Sequence, residues 1–396
     1  MSEINYNYDQ KVLPKKVLNI GLGLLVVGTG FGLIGLLLDS QRFLLNYLIA
    51  FTFLISVAVG TLFLVALEYV AGADWSVPIR RVTEFFSSTV PFLLILGIPL
   101  LFNIGSLFHW SHPEAIANDK ILQSKAPYLN TQFFIIRFIV IIAIWSLFWF
   151  ILSRNSKKQD TSKDQSITKR NIRYSAIFIP VFAITISLIS IDWIMSLDPH
   201  WFSTIFGIYF FAGTVLASLS VVTYAVVKLY ENGYLHPRIK KDHLYSLGAL
   251  LFAFVNFWGY IAFSQYMLIW YANLPEETYW YLNRWEGMWI YVSLLQIVVH
   301  FLIPYSVLLS QPAKMDPKKL KFAALWILFA HLIDLYWLIM PNYHSEGGSS
   351  WIYLLEFAFP MAAVGILCVV FYLNYKKTNI LPVGDPKLEK GLNFKL

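Results

Sequence analysis

Runs of about 20 apolar residues recur ten times along the chain, separated by shorter polar segments. An α-helix of about 20 residues spans a hydrocarbon core that is about 30 Å thick. Lipid offers no hydrogen-bond partners, so the backbone N–H and C=O groups of each run must pair within the run, as they do in an α-helix. The strands of a β-barrel are shorter and alternate apolar with polar residues, which these runs do not. The pattern therefore predicts an all-α integral membrane protein. Its ten transmembrane helices are predicted near residues 17–38, 43–71, 89–108, 132–152, 172–195, 205–228, 246–269, 288–309, 320–340 and 351–373.

The polar segments complete the predicted layout around this transmembrane domain, residues 17–373. Residues 1–16 and 374–396 are predicted to be polar tails. Residues 153–171 are rich in Lys, Ser, Asp and Gln, which predicts a solvated linker between the fourth and fifth helices. Residues 74–86 carry apolar side chains on one helical face and charged ones on the other, which predicts a short helix lying in the membrane interface.

The positive charges are distributed unevenly between the two sides of the predicted helices. Of the 30 Lys and Arg residues, 25 lie in the tails and in the loops on the side of the tails, four lie on the opposite side, and Arg137 lies inside the fourth helix. Loops rich in Lys and Arg stay in the cytoplasm, so both termini are predicted to be cytoplasmic. The net charge of +7 reports this topology and implies no nucleic-acid partner.

Composition supports the membrane assignment and limits the chemistry. The chain is 58% hydrophobic and 13% charged, whereas soluble domains have about 25% charged residues. This excludes an ordinary soluble enzyme and a disordered chain. Cys368 is the one cysteine, so the chain alone cannot form an internal disulfide or hold an all-cysteine iron–sulfur cluster.

Ionisable residues inside the predicted helices are the candidate functional residues, because such groups are costly in lipid and mark ion or proton pathways by default. Static ion pairs between helices would explain them equally well. The candidates are Glu68, Arg137, Asp192, His300, His331, Asp334 and Glu356.

The depths of these residues suggest two proton half-paths that meet near the ninth helix. Glu68 lies near the cytoplasmic end, whereas His331 and Asp334 lie deeper, three residues apart and hence on one helical face. A carboxylate one turn from a histidine is a plausible proton relay and also a plausible buried pair. Near the outer ends, Arg137 is expected to neutralise either Asp192 or Glu356.

Motifs for cofactors are weak. His300 and His331 could reach one haem, but bis-haem cytochromes need two histidine pairs, and the helices contain only these two histidines. We therefore predict that this chain alone holds no haem and no metal. Residues 30–35 match the G-x-G-x-x-G dinucleotide motif, but they lie inside an apolar run with no preceding strand. Gly28 and Gly32 also form a G-x-x-x-G pair, which predicts close helix packing.

Several longer motifs resemble those of one family. The chain resembles the polysulfide-reductase membrane-subunit (NrfD-like) family, and most closely the smaller NrfD-like subunit of bacterial alternative complex III. The resemblance covers residues 17–373. It is carried by residues 74–84 (DWSVPIRRVTE), 110–114 (WSHPE), 125–130 (KAPYLN), 196–204 (SLDPHWFST), 262–277 (AFSQYMLIWYANLPEE) and 334–341 (DLYWLIMP).

The resemblance implies a fold and a function. The family fold has two four-helix bundles, here helices 2–5 and 6–9, with helices 1 and 10 at the periphery. Alternative complex III oxidises quinol in the bacterial inner membrane and passes electrons to cytochrome c or to a terminal oxidase. Its haems and iron–sulfur clusters lie in partner subunits, which include a multihaem cytochrome c, an iron–sulfur subunit and the larger NrfD-like subunit. The implied role is assembly and proton conduction, and whether a quinone or quinol binds in this subunit stays open.

Two other functions fit the same sequence. A stand-alone proton-coupled secondary transporter would also have ten helices and buried charges, although its broken helices usually pair between the two halves, and the prolines of this chain do not. A purely structural anchor for partner subunits would need no titratable pathway.

Overall fold

A computed structural model describes residues 10–343 and 356–396 of the chain. The described residues are mostly helical, and ten of their helices are long and apolar enough to span a membrane, which confirms the predicted all-α integral membrane protein. The first residues of the predicted tenth helix, 351–355, and residues 1–9 of the N-terminal tail lie outside the described residues. The ten spans are α1 (Lys15–Leu38), α2 (Ser40–Ala71), α3 (Val77–Phe102), α4 (Thr131–Ser162), α5 (Gln165–Leu197), α6 (Phe206–Glu231), α7 (Lys241–Ala272), α8 (Trp289–Leu308), α9 (Pro317–Asn342) and α10 (Ala358–Lys377).

Two faces follow from the alternating direction of the spans. We call the face that carries the C-terminal segment 378–396 and the turns at 72–76 and 163–164 the tail face. The opposite face, which we call the loop face, carries segments 103–130 and 273–288. Short helices on the loop face are Ile104–Leu107, Pro113–Asn118, Lys120–Lys125 and Pro275–Leu282, and those on the tail face are Gln311–Met315 and Leu388–Leu392.

Helices α2 and α6 form the centre of the molecule and are almost entirely buried. Small residues bring them close together: a Cβ atom at Gly60 of α2 would lie 2.5 Å from the Ser218 hydroxyl oxygen of α6. Helices α2–α5 contact one another, as do α6–α9, and α2 and α6 join the two sets. Because α2 and α6 contact each other as extensively as the helices within each set do, the division into two four-helix bundles stays a prediction.

Helix α1 packs against α10 through glycines. A Cβ atom at Gly28 would lie 2.4 Å from the carbonyl oxygen of Ala358, and one at Gly32 would lie 2.4 Å from the Phe359 ring. At Gly30, by contrast, no atom of the described residues would lie within 4 Å of such a Cβ atom. The packing role predicted for Gly28 and Gly32 is therefore confirmed, because any larger side chain there would force the two helices apart.

We expect the substitution Gly28→Val to separate α1 from α10, since overpacking of this kind costs about 1–3 kcal/mol. Cys368 of α10 reports on the contact, because a Cβ atom at Gly21 of α1 would lie 2.9 Å from its Cβ. The rate of maleimide labelling of Cys368 should rise in Gly28→Val. The matched control, Gly30→Val, points into open space and should label at the wild-type rate. Equal rates in the two variants would contradict this packing.

Residues 153–171 do not form the solvated linker that their composition predicted. Helix α4 continues to Ser162, α5 begins at Gln165, and only a two-residue turn separates them. The side chains on one face of this hairpin pair inside the protein, as where the Gln159 amide donates a hydrogen bond of 2.6 Å to the Thr168 hydroxyl. Side chains on its other face, among them Lys158, Ser162 and Arg170, are exposed. The prediction is therefore wrong about a separate linker, because both helices continue into this stretch, but many of its polar side chains do face water.

The short interfacial helix predicted within residues 74–86 is also wrong. Residues Arg80–Ser87 are helical but entirely buried, and they form the first part of α3. The charged face points into the protein because carboxylates from other segments neutralise Arg80 and Arg81. The amphipathic pattern was real, but its polar side faces partners and not lipid head groups.

Candidate functional site

The predicted site residues fall into three groups at different depths. Glu68 belongs to a buried charge cluster at the tail face, and His300, His331 and Asp334 meet in the middle of the protein. The remaining three residues, Arg137, Asp192 and Glu356, form ion pairs near the loop face.

Asp334 of α9 is the centre of the middle group, and its residue is 2% exposed. One carboxylate oxygen accepts hydrogen bonds from the Tyr209 hydroxyl of α6 and from the Gln296 amide of α8. The Gln296 amide nitrogen also lies 3.2 Å from the Tyr209 hydroxyl, so the three side chains form one network. Sequence reasoning missed Tyr209 and Gln296, because uncharged polar residues are ordinary in a transmembrane helix.

His331 and Asp334 face the same side of α9, as predicted. Both approach Gly213 of α6, where a Cβ atom would lie 3.1 Å from His331 Cε1 and 3.8 Å from Asp334 Oδ2. The His300 ring lies 6.4 Å from the His331 ring, measured between centroids, and it stacks on Trp258 at 3.7 Å. Neither ring has a hydrogen-bond partner among the described residues. Buried polar atoms of this kind commonly bind ordered water.

A π-helical turn in α8 places two of these side chains. Residues Ile297–Leu302 form the turn between two α-helical segments. It lies directly after Gln296 and includes His300, and both residues are buried. Such turns often occur at functional sites, because one extra residue per turn shifts which side chains point inward. The apolar pattern of this run gave no sign of the turn.

A cavity of about 590 Å³ leads to the middle group from the loop-face half of the protein. We call it the loop-side cavity. It lies between α7 and α8, and most of its lining is aromatic. Tyr209 and Gln296 supply polar atoms at its inner end, whereas Tyr260 and Phe263, which are 67% and 61% exposed, lie at its lipid-facing side.

Arg284 fastens the loop that covers this cavity on the loop face. Its guanidinium donates hydrogen bonds of 3.2 and 3.1 Å to the carbonyl oxygens of Trp337 and Leu338 at the end of α9. It also lies 3.4 Å from the centroid of the Trp280 ring, a strong cation–π geometry. Burial lowers the pKa of Arg284 to about 9, so the group stays charged at neutral pH. Trp337 is thereby fixed where it lines the cavity.

The tail-face cluster surrounds two buried arginines with four carboxylates. Arg80 lies 3.1 Å from Glu68 and 2.5 Å from Asp385 of the C-terminal segment. Its Nε lies 3.4 Å from Glu84, which also pairs with Arg81 at 3.0 Å. Arg81 in turn lies 2.5 Å from Asp160 at the end of α4.

A second cavity, of about 430 Å³, opens beside Glu68 in the tail-face half. We call it the tail-side cavity. Helices α2, α3, α6 and α7 line it, mostly with apolar side chains. Among the described residues that line it, Glu68 is the one charged side chain. The two cavities therefore lie in opposite halves of the protein, and each ends at or next to a buried carboxyl group.

Hydroxyl groups fill the α2–α6 interface between the two cavities. The Ser56 hydroxyl of α2 lies 3.5 Å from that of Thr214 of α6, one residue after Gly213. Ser218, one turn further along α6, faces Gly60 of α2, and the next residue, Leu219, already lines the tail-side cavity. The sequence signal for this seam is the i, i+4 spacing of small polar residues on both helices. The polar residues Asn256 and Tyr260 of α7 line the loop-side cavity instead of this seam.

The ion pairs near the loop face resolve a choice that the sequence left open. Arg137 pairs with Asp192 through two hydrogen bonds of 2.8 and 2.9 Å. Glu356 pairs instead with Arg42, which lies in the first turn of α2 and is 4% exposed. A two-point contact between a guanidinium and a carboxylate is the strongest geometry for such a pair. One pair joins α4 to α5 and the other joins α2 to the residues just before α10, so both also fit the static interpretation.

No group of three or more His, Cys, Asp or Glu side chains that could hold a metal ion comes together in residues 10–343 and 356–396. In comparisons with known proteins, no family model and no curated protein matches the chain. The geometry of the two cavities and of the groups between them therefore carries the functional argument.

Proposed function

We propose that this chain is a membrane subunit of a quinol-oxidising electron-transfer complex and that it conducts protons between the two faces of the membrane. One observation carries the proposal: the loop-side and tail-side cavities enter from opposite halves, and each reaches a buried carboxyl network. A pathway that conducts protons without leaking ions needs titratable groups reached from both sides and a narrow, polar middle.

The pathway would run from Glu68 along the α2–α6 seam to His331 and Asp334. Hydroxyls such as those of Ser56 and Thr214 can pass a proton in a chain when water fills the gaps between them. The unpartnered ring nitrogens of His331 and His300 would bind part of that water.

The loop-side cavity suits the head group of a quinol. Its aromatic walls would cover a flat ring, and Tyr209 and Gln296 would hydrogen-bond to a ring oxygen. A proton released from a quinol bound there would lie next to Asp334. The electrons would pass to haems and iron–sulfur clusters in partner subunits, as the resemblance to the smaller NrfD-like subunit implies. The unequal charge of the two faces supports an orientation with the tail face in the cytoplasm.

A stand-alone proton-coupled transporter is the second candidate, because cavities in opposite halves also fit alternating access. Transporters of this kind usually break helices at matching positions in their two halves. Here the π-helical turn interrupts α8, whereas Pro99 and the break at Asn103 fall at the end of α3, so the irregular positions do not correspond. This asymmetry favours the subunit.

Purification in mild detergent separates these candidates. If the chain is a subunit of the proposed complex, it should co-purify with a multihaem cytochrome c, an iron–sulfur subunit and a larger NrfD-like subunit, and the preparation should oxidise quinol. A chain that purifies alone from its native membrane, and that takes up a solute in proteoliposomes, would instead support the transporter.

A further inference from the structure

The C-terminal segment 378–396 occupies a fixed place on the tail face. Leu388 and Leu392 are buried, and the His243 ring of α7 lies 2.8 Å from the Gly391 carbonyl oxygen. A Cβ atom at Gly384 would lie 1.9 Å from the carbonyl oxygen of Gln159, so only glycine allows this approach. The segment is therefore an integral part of the fold, and it delivers Asp385 to Arg80.

Arg80 is shared unequally between its carboxylates. Arg80 donates one hydrogen bond to each, of 2.5 Å from Nη2 to Asp385 and of 3.1 Å from Nη1 to Glu68. The Asp385 side chain is 2% exposed, and its other oxygen accepts a hydrogen bond from the backbone N–H of Lys387. The anionic form of Asp385 is thus stabilised more strongly than that of Glu68. Because Arg80 pairs with Asp385, it stabilises a Glu68 carboxylate less than it otherwise would.

The charges of the cluster do not balance. Two arginines face four carboxyl groups whose side chains are at most 13% exposed, so that, even with the Lys157 ammonium group near Glu84, full ionisation would bury an excess of negative charge. Such an excess is costly and favours protonation of the carboxyl group that has the weakest partners. Asp160 and Glu84 are held by Arg81, and Ser156 also donates to Glu84. Glu68 lies farther from its nearest arginine nitrogen than the other three carboxyl groups do, its other polar partner is the Ser76 side chain, and it borders an apolar cavity.

We propose that Asp385 is a positioning residue that keeps Glu68 protonated, because it engages Arg80 and so withholds a full counter-ion from Glu68. The proposal deepens the proposed function and rests on it, since Glu68 is there the proton carrier on the tail side. The C-terminal segment thereby sets the proton occupancy of the tail-side entrance.

The elements around Glu68 differ in the charged and polar groups that they bring near it. Helix α6 contributes only the apolar side chains Leu219 and Val222 to this cavity, and α7 contributes the tyrosine Tyr245. The charged and titratable groups of the other elements are Tyr69 of α2, Asp74 of the turn at 72–76, Arg80, Arg81 and Glu84 of α3, Lys157 and Asp160 of α4, and Asp385 and Lys387 of the C-terminal segment.

Labelling with dicyclohexylcarbodiimide tests the proposal. This apolar reagent takes the proton of a neutral carboxyl group on one nitrogen, and the carboxylate oxygen adds to its central carbon. The O-acylisourea that forms rearranges to a stable N-acylurea, so that the reagent is added whole and nothing leaves. The full-length protein in detergent is labelled at neutral pH, and the modified carboxyl groups are located by peptide mass spectrometry.

In the wild-type protein the label should fall on Glu68 and not on Glu84, Asp160 or Asp385. In Asp385→Asn the rate at Glu68 should fall severalfold, since each added stabilisation of the anion by about 1.4 kcal/mol lowers the ratio of neutral to ionised Glu68 tenfold. Asp385→Glu, which keeps the charge, should retain most of the labelling. The control Glu389→Gln removes a carboxylate of the same segment that pairs with Arg238 at the surface and should label as the wild type does.

Two results would overturn the proposal. One is wild-type labelling that falls on another carboxyl group of the cluster, which can be observed even if Asp385→Asn does not fold. The other is an unchanged rate at Glu68 in a folded Asp385→Asn protein. Because labelling does not measure proton movement, either result leaves the conduction proposal open to its own test in proteoliposomes.

Discussion

Replacing Asp334 by Asn should stop proton movement through the assembled complex while leaving the fold intact. Asparagine has the same size, and its Oδ1 can still accept the hydrogen bonds from Tyr209 and Gln296. The amide cannot take up and release a proton, so the path loses its central carrier. Loss of one positioned acid–base group typically costs on the order of 10²-fold in rate or more. Proton movement and quinol oxidation should be measured separately in proteoliposomes.

Glu68 and Asp334 lie one after the other on the proposed path, and this order provides the controls for the experiment. Glu68→Gln should have the same effect from the tail side, and the double variant should be no worse than either single one, because two blocks in one path do not add. Glu231→Gln removes a partly exposed carboxylate that pairs with Lys321, and it should leave proton movement unchanged. If proton movement is normal in both Asp334→Asn and Glu68→Gln and the complex is intact, the chain is a structural anchor and not a proton conductor.

The ten spans were predictable because lipid imposes a single rule on the backbone. Each crossing needs a long apolar helix, and such a helix is visible as a long apolar run in the sequence. The errors occurred where this rule does not apply. At residues 153–171 and 74–86 the side chains are polar, and whether they face water or one another depends on which other segments fold over them.

For a related reason, the sequence predicted the ionisable residues of the candidate site but not their partners. Ionisable residues such as Asp334 and Glu68 stand out in an apolar run, since burial makes each one costly. Their partners do not stand out. Tyr209 and Gln296 belong to other helices, and Asp385 lies about 300 residues from Arg80 in a tail that looked merely polar. Such pairings are properties of the tertiary fold, and a single sequence has no pattern that encodes them.

Removing Arg137 alone should be the most destabilising change near the loop face. Arg137 and Asp192 are 7% and 2% exposed, and their two hydrogen bonds join α4 to α5. Arg137→Met would leave the Asp192 carboxylate buried without its counter-ion, which typically costs about 3–5 kcal/mol. The midpoint of thermal unfolding in detergent should fall accordingly. Arg170→Met, which breaks the exposed pair with Asp164 on the tail face, should change stability by less than about 1 kcal/mol.

The double variant Arg137→Met, Asp192→Leu decides whether this pair is structural or part of the proton path. Replacing both charges by apolar side chains removes the buried anion together with its counter-ion, so most of the lost stability should return. We expect its proton movement to match that of the wild type, because the pair lies near the loop face, apart from the seam between α2 and α6. If stability returns but proton movement is lost, Asp192 is the exit carboxylate and the two-point pair with Arg137 must open during each transfer.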